Sequence, residues 1–72
     1  MNGQAIIEQL ETRRKELGMT DEAFARLLGI SRPLWSQLRS GRRRLTLAVL
    51  RGILRAFPDW EEAVLALLRE EA

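Results

Sequence analysis

Residues 21–41 decide how this 72-residue chain folds: Asp21-Glu22-Ala23-Phe24-Ala25-Arg26-Leu27-Leu28-Gly29-Ile30-Ser31-Arg32-Pro33-Leu34-Trp35-Ser36-Gln37-Leu38-Arg39-Ser40-Gly41. Phe24, Leu27 and Leu28 recur at helical spacing, and Gly29 stops the helix they define. Only Ile30 separates that glycine from Ser31, a natural cap for a following helix over Arg32 to about Ser40. Pro33 falls in the first turn, where a missing N–H costs nothing, and it leaves the Leu34 amide as the donor to the Ser31 hydroxyl. The connection Leu28-Gly29-Ile30-Ser31 is too short for an antiparallel hairpin, so the two helices must cross steeply. Such a crossing needs a small residue at the contact, a turn residue tolerant of positive φ, and apolar residues on the inner side of the second helix. Ala25, Gly29, and Trp35 with Leu38 supply them.

On both sides of this segment apolar spacing stays helical and no run alternates with period two. A first helix carries Ile6, Ile7, Leu10 and Leu17 on one side and ends at Gly18. Thr20 caps the second helix, with Asp21 and Glu22 in the first turn, where the helix dipole favours acids. A fourth helix opens at Thr46 with Leu45 and Leu50 as a staple across the cap, and buries Leu47, Leu50, Ile53, Leu54 and Phe57. Gly52 in mid-helix costs about 1 kcal/mol against Ala, which points to close packing there. After Pro58, Asp59 and Glu62 have capping-box spacing for a fifth helix from Trp60 to about Glu70. The expectation is an all-α chain of five short helices forming one domain over 1–72.

The formal net charge of +2 hides a sharp polarity along the chain. Residues 23–58 hold Arg26, Arg32, Arg39, Arg42, Arg43, Arg44, Arg51 and Arg55 and no acid, while acids outnumber cations on both sides of that block. This distribution favours a polyanionic partner. Cys, His and Tyr are absent, which removes thiolate metal sites and the commonest general base, so no metal, cofactor or enzymatic activity is expected. No apolar run spans a membrane and no export signal appears at Met1–Leu10, so a cytoplasmic binding module is expected.

The segment 21–41 meets the demands of a helix-turn-helix. The stretches 13–20, 24–32 and Ser40-Gly41-Arg42-Arg43 resemble the phage Cro and repressor-type family, also called the xenobiotic-response-element family, over about residues 5–57. The resemblance implies a compact, lambda-repressor-like five-helix fold with the helix-turn-helix at helices two and three. It also implies that the third helix enters the DNA major groove and that dimers bind palindromic operators. Carried over by position, Arg32, Pro33, Ser36 and Gln37 read base edges, and Ser40, Arg42 and Arg43 grip phosphates. The residues agree on their own account. Arg32 and Gln37 are the long multi-donor side chains opposite Trp35 and Leu38, with Ser36 between them and Leu34 beside, able to meet a thymine methyl. Arg pairs with guanine O6 and N7, and Gln with adenine N6 and N7. Arg42, Arg43 and Arg44 leave the helix as a cationic loop suited to phosphates. Arg51 and Arg55 fit a solvent face or a DNA flank equally.

Three positions depart from the family pattern. Asp21 stands where Gln is usual, near a phosphate, and a carboxylate there repels DNA unless it serves only the helix N-terminus. Arg39 stands where a Glu often pairs with the equivalent of Arg14; Arg39 is thereby freed for a phosphate, and Arg14 turns to Glu11 or another acid. Trp35 replaces Ile or Val and reads as core filler rather than a base-stacking wedge. In the fifth helix Trp60, Val64, Leu67 and Leu68 suffice to dock it, and Leu65 widens the stripe. A homodimer through Trp60, Val64, Leu65 and Leu68, within residues 59–72, is therefore expected, with cover of Leu65 by the N-terminal segment as the alternative. The function expected is a sequence-specific DNA-binding regulator, a repressor of bacterial, phage or plasmid type. The alternatives are the antitoxin of a toxin–antitoxin pair, with a toxin as partner, and a protein-binding adaptor that has lost DNA binding.

Overall fold

Hydroxyl caps and glycine stops divide the chain into its elements. The computed structural model describes residues 3–71, with side chains from residue 3 to 69, so the expected domain limits at Met1 and Ala72 lie outside the described residues. The helices are α1 (Gly3–Glu16), α2 (Asp21–Leu28), α3 (Arg32–Ser40), α4 (Leu47–Ala56) and, after a 3-10 turn at Pro58–Trp60, α5 (Glu61–Glu71). No strand occurs among the described residues. The side chains of Thr20, Ser31 and Thr46 accept from the amides of Ala23, Leu34 and Val49 at 3.1, 3.2 and 3.3 Å. The Ser31–Leu34 bond is the one Pro33 dictates.

The turn between α2 and α3 closes on Gly29 at φ 75°, in the left-handed region. The Gly29 amide donates to Arg26 and the Ile30 amide to Ala25, both at 3.0 Å, which satisfies two carbonyls that would otherwise be orphaned. Ile30 packs partly buried on the core, and Ala25 is buried where the helices meet.

The core joins Ile6, Ile7 and Leu10 of α1 to Phe24 and Leu28 of α2, Trp35 and Leu38 of α3, Val49, Leu50 and Ile53 of α4, and Val64 and Leu67 of α5. Aromatic rings run through it. Phe24 lies 5.1 Å from Trp35 and 6.0 Å from Phe57, and Phe57 lies 6.1 Å from Trp60, centroid to centroid. Pairs of this kind add about 0.5–1.5 kcal/mol each beyond area burial. Gly52 marks the closest approach of α4 to α2: a Cβ built there would stand 2.1 Å from the Leu28 carbonyl oxygen. The close packing expected at this glycine is present.

Several expectations need correction. Leu17, Leu27 and Leu47 are exposed rather than buried, and Leu54 is only half-buried. On α4 the buried face runs through Val49, Leu50, Gly52 and Ile53, because the glycine contact with Leu28 centres it there. The Asp59–Glu62 capping box does not form as expected. Residues 58–60 make a 3-10 turn, and Asp59 Oδ2 instead accepts from Arg13 at 2.9 Å, while the Arg13 guanidinium sits 4.9 Å above the Phe57 ring. Trp60 and Val64 are buried in the protomer's own core, so neither offers a surface to a second copy. Leu65 and Leu68 remain 44% and 40% exposed.

Candidate nucleic-acid interface

Helix α3 has two faces because its nine residues place Trp35 and Leu38 one turn apart, both buried. Opposite them Arg32, Pro33 and Ser36 are exposed and Gln37 is half-buried. At i and i+4 spacing, Arg32 with Ser36 and Pro33 with Gln37 form two short rows on one side. Leu34 is half-buried and packs on the core, which limits its reach toward a thymine methyl. Arg32, Pro33 and Ser36 also line a depression of about 250 Å³ shared with Asp21, Trp35 and Arg39.

The helix ends at Gly41, φ 81°, and the chain doubles back on one carbonyl. Gln37 O accepts from the Arg42 amide at 2.9 Å, the Arg43 amide at 3.3 Å and Ser40 Oγ at 3.1 Å. Arg42, Arg43 and Arg44 are therefore exposed cations set directly beyond the outward face of α3, not a loop free of it. Arg43 Nε additionally donates to Gln37 Oε1 at 3.0 Å.

Beneath this face lies a charge network joining α1, α2 and α3. Asp21 Oδ1 accepts from the Trp35 indole Nε1 at 3.0 Å and from Arg39 Nη1 at 2.7 Å, and Arg14 Nε stands 3.3 Å away. Arg14 also makes a two-pronged pair with Glu11, at 2.6 and 3.3 Å, and donates to the Met19 carbonyl at 2.8 Å. Glu11 Oε2 reaches Arg39 at 3.5 Å. The Trp35 indole bond, followed by the charges of Arg39, Arg14 and Arg32, holds the Asp21 carboxyl below its ordinary value against the opposing effect of burial. The Arg14 hydrogen bond does the same for Glu11, and Glu11 in turn raises Arg14.

This network corrects two expectations at once. Arg39 is not freed, because Asp21 and Glu11 hold it. Nor does Asp21 present a bare carboxylate: its charge is met by two guanidiniums and an indole N–H. Arg14 does turn to Glu11. Sequence reasoning missed the Trp35–Asp21 bond and the Gln37–Arg43 bond. The signal for the first was present, since Trp35 and Asp21 both depart from the family pattern and a buried indole N–H needs an acceptor.

A protein-family profile described as a helix-turn-helix domain matches residues 7–57, well over half of the chain. The chain belongs to the helix-turn-helix domain family. No curated protein and no solved structure matches it. In this helix-turn-helix protein α2 and α3 are the pair, α1 and α4 brace it, and α5 lies beyond the matched residues. The family is one of DNA-binding domains and is typically non-enzymatic, and DNA is accordingly the partner class. Among the described residues no helix is long and apolar enough to cross a membrane, and no group of acids could hold a metal ion.

Proposed function

We propose that the protein is a sequence-specific transcriptional regulator of the Cro and repressor type, acting as a repressor at a palindromic operator. The observation that carries the reading is the α3 surface. Its outward residues are Arg32, Pro33, Ser36 and Gln37, its inward ones are the core residues Trp35 and Leu38, and Arg42–Arg44 stand at its end. In this reading the first four meet base edges in the major groove, while Ser40, Arg42, Arg43 and Arg44 hold phosphates. Arg39 serves chiefly to hold Asp21 and thereby α3. A second copy, docked through Leu65 and Leu68 of α5, supplies the other half-site reader. The internal pairing of Asp21 with Arg39 favours this reading over an adaptor that has abandoned DNA.

The test compares two variants on a duplex selected from random sequence and on random duplex. Arg32→Ala weakens the selected duplex by about 1–3 kcal/mol and relaxes one base position. Arg44→Ala weakens both duplexes alike and lowers the slope of log affinity against log salt by about 0.9. Equal losses on both duplexes for both variants would refute the assignment of base readers.

A further inference from the structure

Gln37 and Arg43 are joined twice. The Arg43 amide donates to the Gln37 carbonyl at 3.3 Å as part of the turn that closes α3, and Arg43 Nε donates to Gln37 Oε1 at 3.0 Å. The backbone bond places Arg43 beside the Gln37 side chain, so the side-chain bond does not rest on a chance meeting of two long residues. A glutamine amide has one acceptor oxygen and two donor hydrogens. With a guanidinium on the oxygen, its remaining lone pair sits next to a full positive charge, and the amide nitrogen still offers donors only.

This matters for what Gln37 reads. Adenine shows N7, an acceptor, and the N6 amino group, a donor, so it needs both halves of the amide. Guanine shows N7 and O6, both acceptors. A cation beside Oε1 repels the adenine amino hydrogens and attracts the guanine oxygen. We infer that Arg43 sets the specificity of its neighbour, making Gln37 a guanine reader rather than the adenine reader its side chain alone suggests. The inference rests on the placement of α3 as the base-reading helix. The rest of the face is consistent with it: Arg32 brings donors only, and Asp21, the carboxylate that shares a depression with it, is turned to Trp35 and Arg39.

The experiment selects bound duplexes from a randomised pool with the full chain and with Gln37→Ala, Arg43→Met and Arg44→Met. Circular dichroism and thermal midpoints establish that each variant is folded. The position whose preference vanishes in Gln37→Ala is the one Gln37 reads. Guanine is expected there for the parent chain. In Arg43→Met the ratio of guanine to adenine falls on the order of tenfold. Arg44→Met removes the same charge one residue away and leaves that ratio unchanged. Adenine at this position in the parent, or a guanine preference that survives Arg43→Met, overturns the role of Arg43 while leaving base reading by α3 standing. If no position responds to Gln37→Ala, base reading by Gln37 falls, and this inference falls with it.

Discussion

At the scale of single residues, Asp21 joins stability to the interface. Its Oδ1 satisfies the buried Trp35 indole N–H and pairs with Arg39, so one carboxylate fixes the inner side of α3. Asp21 and Glu11 both have carboxyls held below their ordinary values of 3.8 and 4.5. A lowered folded value means that the unfolded chain binds the proton first. The stabilisation from these carboxylates is therefore fully present above the ordinary carboxyl values and is lost as pH falls through the lowered folded ones. Urea titrations at a series of pH values should show stability level above about pH 5 and falling below pH 4. Asp21→Asn keeps an acceptor for the indole but loses the ion pairs, which solvent partly screens; it should cost about 1 kcal/mol at neutral pH and flatten that acid limb. An unchanged acid limb in the variant would show that Asp21 carries none of it. Neither Asp21 nor Arg39 disclosed this pairing in sequence, where they stand 18 positions apart on different helices. The two oddities were visible separately, and only the α2–α3 crossing made them one feature.

Among the elements, α2 and α4 depend on a missing side chain. Alanine at an exposed mid-helix glycine gains about 1 kcal/mol. At Gly52 the sign reverses, because the added Cβ would stand 2.1 Å from the Leu28 carbonyl and push α4 off the end of α2. Gly52→Ala should lower stability by about 1–3 kcal/mol in a denaturant titration. A stabilised variant would mean that the two helices separate without cost. Helix starts at Thr20, Ser31 and Thr46 and the stop at Gly29 were legible in sequence because capping is a local bond across three residues. The rotation of α4 was not. Leucines at 47, 50 and 54 and the set 49, 50, 52 and 53 are both helical stripes, and the contact at Gly52 selects the second. The capping box at Asp59 failed for a similar reason: Arg13, 46 positions away, competes for the carboxylate.

Across the whole molecule, the charge polarity and the apolar remainder point to different partners. Arginines gather on and around α3, whereas Leu65 and Leu68 leave an apolar strip on α5 at 44% and 40% exposure. Trp60 and Val64, the other residues expected to make the dimer contact, are spent on the protomer's own core. If a second copy covers the strip, light scattering at micromolar concentration should give twice the mass of the 8.3 kDa chain. Leu65→Glu with Leu68→Glu should return it to the monomer mass, with the helical content unchanged, since neither residue belongs to the buried core. A monomeric parent chain would exclude this dimer.

Local sequence alone sets what depends on neighbours a few residues apart: five helical segments, the caps at Thr20, Ser31 and Thr46, the short turn at Gly29, and a middle half that carries arginine and no acid. From these the helix-turn-helix and the outward side of α3 follow. The packing of the helices, by contrast, selects which partners charged and polar side chains from different helices take. Asp21 is shielded rather than bare, Arg39 is held rather than free, and Trp60 and Val64 face inward. Gln37 accepts from Arg43 because the chain folds back at Gly41. Long side chains have many acceptors within reach along the chain, and the crossing of helices removes all but a few.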